Sequence, residues 1–246
     1  AMSGYAMAGY PKAVVEALIE RKKSGEELLI ELITAANAPW LDDKLGGEQV
    51  LSGRAPMCAS RTVASQANNG SLRYVEQQMS RMTRLLRRGS FGKIDVAVIE
   101  ALGFDKNGNL IPTTSIGMAH HLMNAADQIV IEINSAQPDI LSKLHDVHIP
   151  AAPPDTQPIP LVRIDQRIGR SGIPIDLEKV RAIVETDIPK RMESQPKGNP
   201  ETKEIADHLF NFLELEVQET GKSLPPIQMG FGSIADSIAD AFRRSD

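Results

Sequence analysis

The stretch QIVIEIN, residues 128–134, decides the fold class of this chain. Its β-branched and apolar residues form a run of strand length, and a similar run, IDVAVI, lies at residues 94–99. A third compact apolar run, residues 28–34, has the composition of a strand that is buried on both faces. Because segments with helical spacing separate such runs, we predict an α/β fold. We expect an open, largely parallel sheet with helices on both faces, in a single domain over residues 1–246.

The other elements are predicted from the same two periodicities, near 3.6 residues for helices and 2 for strands. We predict helices beginning at Pro11, over residues 72–86, over residues 118–126 and over residues 201–220. We predict further strands at residues 160–164 and 180–184. In the helix at 201–220 we expect the apolar side chains to face the core.

Composition excludes several classes of protein. The 246 residues are 41% hydrophobic and 24% charged, as in ordinary globular proteins. The net charge of -5 argues against a general nucleic-acid binder, which needs an excess of Lys and Arg. Cys58 is the single cysteine, so an internal disulfide is impossible and a reducing compartment is expected. With no apolar run near the roughly 18 residues that span a bilayer, we expect a cytoplasmic protein.

A glycine-rich stretch, PPIQMGFGSIA at residues 225–235, has the pattern of a strand, a tight turn and a helix. Gly230 and Gly232 permit sharp bends and close approach of a ligand, and Ser233 is a candidate helix cap. The unpaired N–H groups of a helix start favour an anion there. The pattern also fits a Gly-x-Gly-x-x-Ala dinucleotide fingerprint. That fingerprint opens a βαβ unit with an acidic residue about 20 positions later, whereas these residues stop at Asp246 before a following strand, so this interpretation is the weaker one.

Histidine and cysteine patterns give little support for metal or thiol chemistry. His145 and His148 have no clear third ligand, so ordinary hydrogen-bonding histidines are favoured over a metal site. His120 and His121 are neighbours on a helix and cannot face one point. For Cys58 we favour an inert thiol, because the sequence places no base beside it. We therefore expect no metal.

Five blocks, in order along the chain, resemble the amino-terminal half of the acetyl-CoA hydrolase/transferase family. These single-chain CoA-transferases move CoA between an acyl-CoA and a free carboxylate. The blocks are spread along nearly the whole chain, and the resemblance extends from about Ser3 to Phe242. They are GYAMAGYPKAV at residues 4–14, PTTSIG at 112–117, IVIEIN at 129–134, IVET at 183–186 and PIQMGFG at 226–232.

The resemblance implies a CoA-transferase half-domain, one of two related open α/β halves with the active site between them. In the family, a glutamate of the second half attacks the acyl-CoA and becomes a glutamyl-CoA thioester. That glutamate would lie beyond Asp246, so we expect no catalytic nucleophile in this chain. We expect a half-enzyme that is short at both ends and inactive alone, with CoA as substrate and no tightly bound cofactor.

The resemblance also implies site residues. The expected CoA-binding residues are Gln228, Met229, Gly230, Phe231 and Gly232. The expected acyl- or carboxylate-binding residues are Gly9, Tyr10, Pro11, Thr114, Ser115, Gly117 and Arg191. The chain departs from the family's pattern where it has Met118 and Ser233 after the two glycine turns, positions at which the family often has Asn.

Two alternatives stay open at the level of the sequence. The first is an acyl-CoA hydrolase, in particular an acetyl-CoA hydrolase. The second is a non-catalytic subunit that binds CoA or a carboxylate and pairs with a separate catalytic half. The expected partners are an acyl-CoA, a small carboxylate and the second half of the enzyme, with homo-oligomers expected and neither nucleic acid nor membrane as a partner. The acyl group and the acceptor acid are not specified by the sequence.

Overall fold

The computed structural model describes residues 1–6, 8–189, 198–230 and 232–244. The chain divides into two compact units, Ala1–Arg191 and Met192–Asp246. The first unit contains all the strands found among the described residues, and the second contributes two helices. None of the helices in the described ranges is long and apolar enough to cross a membrane.

In the first unit, helices and strands alternate along the chain. The α-helices are α1 (Ala13–Lys23), α2 (Pro39–Gly47), α3 (Arg61–Asn68), α4 (Met79–Arg87) and α5 (Ala119–Ala125). The strands are β1 (Ile30–Ile33), β2 (Leu51–Ala55), β3 (Arg73–Tyr74), β4 (Ile94–Phe104), β5 (Leu110–Pro112), β6 (Ala126–Asn134) and β7 (Val180–Thr186). Two short 3-10 helices, Asp139–Lys143 and Leu177–Lys179, precede β7.

The strands form two sheets that the first residues of the chain connect. One sheet has the order β1-β2-β3 and is parallel, and the other has the order β5-β4-β6-β7, in which only β5 is antiparallel. Met2 donates its N–H to the carbonyl of Ile33 at 2.9 Å, and Ser3 donates to that of Val98 at 2.8 Å. The predicted open, largely parallel sheet is thereby confirmed.

Both faces of the sheet are covered, as predicted. Val98 of β4 belongs to a core cluster with residues of α1, α2 and α3, whereas its neighbours Ala97 and Ile99 belong to a second cluster with residues of α4 and α5. Side chains alternate between the faces of a strand, so the two clusters lie on opposite faces of the sheet. The residues of β4 that point to the α1 face include Glu100 as well as Val98.

The second unit is a pair of helices, α6 (Pro200–Thr220) and α7 (Ser233–Arg243). Asn199 caps α6 through a capping box with Thr202, and the rings of Phe210 and Phe242 meet edge to face at 5.5 Å. The helix predicted at 201–220 is thus confirmed, but its apolar side chains are not all buried, since Ile205 is 47% exposed. Residues 221–230 form neither helix nor strand.

The helix predicted over residues 72–86 begins later than expected. Leu72 is buried and donates its N–H to the carbonyl of Gln66 in α3 at 3.2 Å, whereas Val75 donates its N–H to the carbonyl of Arg54 in β2 at 2.9 Å, so neither residue is part of a helix starting at 72. The helix starts only at Met79. Apolar residues of two different elements happened to fall in one helical phase, and the prediction for residues 72–78 was wrong.

The strand predicted at residues 160–164 is wrong. Val162 is 85% exposed, and no neighbouring strand satisfies its backbone. The side-chain amide of Gln166 takes that place, since it accepts from Val162 N at 3.0 Å and donates to Pro160 O at 3.1 Å. The segment therefore folds on itself as an irregular loop.

Smaller corrections concern where helices begin. The first helix starts at Ala13 with Lys12 as its N-cap, so Pro11 lies just before it. Residues 221–230 do not form the strand predicted before α7, since the prolines at 225 and 226 supply no N–H to a ladder. The N-cap of α7 is Gly232, and no side chain caps the helix, so the predicted capping role of Ser233 is wrong. The strands predicted at 94–99, 128–134 and 180–184 are confirmed as β4, β6 and β7.

Candidate functional site

The loop over residues 3–11 folds tightly and brings two of the predicted turns together. Gly9 adopts a φ of 73°, and a Cβ at this glycine would lie 3.1 Å from the Cβ of Ser115. Gly117 lies equally close to the same loop, since a Cβ there would be 2.9 Å from the carbonyl oxygen of Gly4. The segments predicted to bind the acyl or carboxylate group, residues 9–11 and 114–117, are therefore in contact.

A third loop, residues 34–38, completes this cluster. The hydroxyl of Tyr10 donates to the carbonyl of Asn37 at 3.0 Å, and burial raises the pKa of this phenol above its ordinary value. Beneath the loop, Arg54 and Asp42 form a fully buried ion pair with 2.6 Å between Nε and Oδ1. Arg54 also donates to the carbonyl of Ala36 at 3.2 Å, so the ion pair fixes the loop that holds Tyr10.

The two turns differ in what they offer to a ligand. Gly9, Tyr10 and Pro11 are buried, whereas Thr114 and Gly117 are exposed and Ser115 is partly so. Residues 9–11 therefore form the support of the cluster, and the hydroxyls and backbone of residues 114–117 form its accessible surface.

Two buried glutamates lie behind the cluster on the α1 face of the sheet. Glu100 of β4 and Glu132 of β6 are register partners on neighbouring parallel strands, and both are at most 2% exposed. Glu132 accepts the N–H of Lys12 at 2.6 Å and that of Val14 at 3.0 Å. Its carboxylate thus occupies the amino-terminal end of α1, where the unpaired N–H groups and the helix dipole stabilise a negative charge.

Glu100 is bound by side chains from three segments. It accepts from the ammonium of Lys12, from the hydroxyl of Thr113 at 2.7 Å and from the amide of Asn134 at 2.8 Å. Since every carboxylate oxygen of Glu100 and Glu132 has a donor and almost no exposure, neither residue is placed to attack a substrate.

Sequence reasoning missed this network. The signal was present in two short runs, VIEAL at residues 98–102 and IVIEIN at 129–134, each with one acidic residue inside an otherwise apolar strand. An acid in a strand that is buried on both faces requires dedicated hydrogen-bond donors. The sequence does not say which residues supply them, because Lys12, Thr113 and Asn134 are distant from Glu100 along the chain.

In the second unit, the predicted CoA-binding turn is open to solvent. Gln228, Met229 and Gly230 are exposed, and Gln228 donates to the carbonyl of its neighbour Met229 at 2.8 Å. They border a cleft of about 320 Å³ between α6 and α7 that is lined mainly by apolar side chains, among them Ile227 and Phe242. Phe231 and Arg191 lie outside the described residues.

The remaining histidines and the cysteine have structural contacts. His145 bonds through Nε2 to the carbonyl of Thr113 at 2.7 Å, and His120 bonds to the side chain of Asn124 at 3.0 Å. Burial, with a smaller contribution from Asp42, raises the pKa of the Cys58 thiol to about 11. Within the described ranges, no group of three or more His, Cys, Asp or Glu side chains could hold a metal ion.

Comparison with known proteins adds the family context. The model of the acetyl-CoA hydrolase/transferase N-terminal domain matches residues 1–185. A succinyl-CoA:acetate CoA-transferase of Clostridium kluyveri is 32% identical over 97% of the chain and 45% of its own length. A propanoyl-CoA:succinate CoA transferase of Escherichia coli is 32% identical over 97% of the chain and 50% of its own length. An acetyl-CoA hydrolase of Candida glabrata is 30% identical over 97% of the chain and 47% of its own length.

Among solved structures, RipA from Yersinia pestis has the same fold. It aligns with a TM-score of 0.62 and 16% identity, over 98% of this chain and 49% of its own. The chain thus spans about half the length of each of these similar proteins.

Proposed function

The chain belongs to the acetyl-CoA hydrolase/transferase family, and on that premise we propose that it supplies the carboxylate side and part of the CoA side of a CoA-transferase. The enzyme would move CoA from an acyl-CoA to a free carboxylate. The observation that carries the proposal is the contact between Gly9 and Ser115, since it joins the two turns expected to bind the carboxylate. Relatives named as CoA-transferases support the same reaction class.

The proposed reaction proceeds through two covalent intermediates of a glutamate. A glutamate carboxylate attacks the thioester carbon, the carbon–sulfur bond breaks, and a mixed anhydride and the CoA thiolate result. The thiolate then attacks the glutamyl carbonyl of the anhydride, which releases the first carboxylate and leaves a glutamyl-CoA thioester. An acceptor carboxylate repeats both steps in reverse order and leaves as the new acyl-CoA, and the glutamate is regenerated.

We place the nucleophilic glutamate outside these 246 residues. Glu100 and Glu132 lie directly behind the turns, but both are buried and each accepts at least two hydrogen bonds. Withdrawing either carboxylate would leave buried donors without partners, at a cost of about 1–3 kcal/mol for each donor. The relatives, in which this chain matches only about half the length, have room for the nucleophile elsewhere.

The proposed roles follow from exposure. The hydroxyls of Thr114 and Ser115 and the backbone of Gly117 contact the carboxylate, while Gly9, Tyr10 and Pro11 hold that surface in place. Arg191 is proposed to steer the acid by its charge.

On the CoA side, the residues from Gln228 to Gly232, including Phe231, would contact the CoA part of the substrate. Gly232 starts α7 without a side-chain cap, so the N–H groups of the first turn can face an anionic group.

Acetyl-CoA hydrolysis is the second candidate function, because relatives with that name match the chain equally well. In that case water would take the place of the acceptor carboxylate. A third arrangement, a binding subunit paired with a separate catalytic chain, shares the same site residues and differs only in where the glutamate is encoded.

Product analysis separates these functions. The full-length protein is incubated with isotope-labelled acetyl-CoA, with and without succinate, acetate or propionate. With the label in the acetyl group, an unlabelled acyl-CoA formed from the added acid indicates transfer. Free CoA that forms at the same rate without any acid indicates hydrolysis. The mass of residues 1–246 after incubation with acetyl-CoA tests the position of the nucleophile: we expect no change, and a stable CoA-sized increase would contradict it.

The CoA side is tested by one substitution at Gly230. A Cβ at this glycine meets no atom within 4 Å, and its φ is not in the left-handed region, so Gly230→Ala adds a methyl group without strain in the free protein. If CoA approaches the backbone there, the methyl group should weaken CoA binding by about tenfold, as expected when a close contact is lost.

Gly47→Ala is the matched control, because Gly47 is also open to a Cβ and lies in α2 of the other unit. Titration calorimetry with CoA should show unchanged affinity for this control. Equal affinities of the protein and its Gly230→Ala variant would remove Gly230 from the CoA site.

A further inference from the structure

Glu100 and Glu132 lie side by side on one buried face of the sheet, yet different groups compensate their charges. Two carboxylates on adjacent strands repel each other, and burying them is unfavourable unless each is paired or fully hydrogen-bonded. Glu132 is compensated by backbone N–H groups of α1, as described above. Glu100 is compensated by side chains, and these connect it to the candidate site.

Each donor to Glu100 also holds a different segment. Lys12 bonds through Nζ both to Glu100 and to the carbonyl of Tyr10, at 3.1 Å for the latter, and so fixes the turn at residues 9–11. Thr113 is the residue at which the turn 114–117 begins, and its hydroxyl donates to Glu100 at 2.7 Å. One carboxylate thus determines where both turns leave the sheet.

A third segment depends on the same carboxylate through Asn134. The side-chain amide of Asn134 donates to Glu100 and to the carbonyl of Ile188, each at 2.8 Å. Ile188 follows β7 and precedes the segment that contains Arg191. Through its backbone, Glu100 is connected to the first loop as well, since its N–H donates to Ser3 Oγ at 2.9 Å.

We propose that Glu100 is the positioning residue of the carboxylate side: its buried carboxylate sets the relative positions of residues 9–11, 113–117 and 186–189. This inference rests on the proposed function for its catalytic consequence, but its structural part stands on the hydrogen bonds alone. Glu100 does not touch the substrate. It acts through Lys12, Thr113 and Asn134, each of which donates a hydrogen bond to its carboxylate.

The chemistry of the donors predicts a graded series of variants. In Glu100→Gln the amide oxygen can still accept from Lys12 and Asn134, and the amide NH₂ can face Thr113, whose hydroxyl can turn and accept. Glu100→Ala removes all three links and leaves a buried ammonium unpaired. Thr113→Val removes one link without changing the size of the side chain, which keeps the test valid if Glu100→Ala fails to fold.

Hydrogen exchange measures the positioning directly and needs no activity. We expect faster exchange of backbone amides in residues 8–12, 113–117 and 186–189 of the Glu100→Ala and Thr113→Val variants, and a smaller change in Glu100→Gln. Leu45→Ala is the control, because Leu45 is fully buried in α2 and touches none of these segments through a hydrogen bond. If the three segments exchange as in the unmodified protein, or no faster than in the Leu45→Ala variant, the positioning role is refuted.

Kinetics test the catalytic consequence in the full-length protein. Displaced turns should raise KM for the acceptor carboxylate by about tenfold or more in Thr113→Val while KM for the acyl-CoA stays nearly constant. A loss of stability alone would lower the amount of active enzyme and change neither KM. If the unmodified protein transfers no CoA, the proposed function is refuted. The positioning role of Glu100 is then decided by the hydrogen-exchange result.

Discussion

Replacing Arg54 by methionine should unfold the first unit at a much lower denaturant concentration. Arg54 and Asp42 are both fully buried, with Arg54 Nε 2.6 Å from Oδ1 of Asp42 and Nη2 3.2 Å from Oδ2. In Arg54→Met the carboxylate loses the guanidinium and keeps the N–H of Ala38 and the thiol of Cys58, both at 3.4 Å. Methionine replaces the aliphatic part of the arginine side chain and removes the guanidinium, so the main effect is an uncompensated buried charge.

The expected loss is about 3–5 kcal/mol, the usual cost of removing one partner of a buried ion pair. For a chain of this size that corresponds to a drop in Tm of roughly 6–20 °C. The double variant Asp42→Leu with Arg54→Met removes both charges and should be more stable than either single variant. It should still lose about 1–2 kcal/mol, because the carbonyls of Ala36 and Ala55 no longer receive the guanidinium N–H groups.

Urea denaturation followed by the fluorescence of Trp40, the single tryptophan, measures this effect. Trp40 lies in α2, in the same helix as Asp42, and therefore reports on the correct unit. Arg73→Met is the matched control: Arg73 pairs with Glu31 at 2.5 Å, but both side chains are more than half exposed. Its loss should stay below about 1 kcal/mol. Equal losses for the two arginine variants, or strict additivity in the double variant, would refute the reasoning.

Two further predictions concern single positions. Gly4→Ala should destabilise the first unit by more than about 2 kcal/mol, because φ is 111° and the new Cβ would lie 2.6 Å from the ring of Tyr10; urea midpoints measure it, and a variant as stable as the unmodified protein would contradict the described loop. Burial, with smaller contributions from His120 and Arg87, lowers the pKa of His121 to about 4. Since an unfolded histidine takes up its proton near pH 6.5, stability should fall as pH falls from about 6.5 to 4. Melting curves of His121→Gln should show a weaker dependence over that window, and an unchanged slope would exclude His121 as the cause.

The sequence was sufficient for the fold class because the strongest strands carry two signals at once. In β4 and β6, β-branched residues and apolar runs together indicate strands that are largely buried. β7 is equally rich in β-branched residues, although it is the edge strand and is largely exposed. Tertiary contacts reinforce the local preference in these strands, so local and global requirements agree.

The wrong predictions concern segments whose backbone groups bond to a partner other than the expected one. Residues 160–164 have strand composition, but the amide of Gln166 satisfies their backbone in place of a neighbouring strand. Residues 72 and 75 were in phase with the helix of residues 79–87, yet the N–H of Leu72 bonds to Gln66 of α3 and that of Val75 bonds to Arg54 of β2. Periodicity alone does not distinguish these cases, because it contains no information about which backbone groups find partners.

The resemblance named the turns of the candidate site but not the residues that support them. The resemblance named residues 9–11 and 114–117, and the structure brings these turns into contact through Gly9 and Ser115. It gave no indication that residues 9–11 are buried, because their burial depends on contacts with segments that are distant along the chain, such as the bond from Tyr10 to Asn37. The donors to Glu100 were equally invisible, since they come from residues 12, 113 and 134.

The contacts of the two glutamates explain why this sheet keeps charged residues at positions where burial of apolar residues would be energetically more favourable. Val98 and Val130 occupy the same face one pleat earlier, so the sheet can accommodate aliphatic side chains there. Exchange of Glu132 for an apolar residue would leave two backbone N–H groups at the start of one helix, those of Lys12 and Val14, without their acceptor. Glu100 could not be exchanged so simply, because Lys12, Thr113 and Asn134 would each lose a partner. A buried polar network specifies one arrangement of its segments more sharply than apolar contacts do, and the segments that it fixes are those on which the proposed carboxylate site depends.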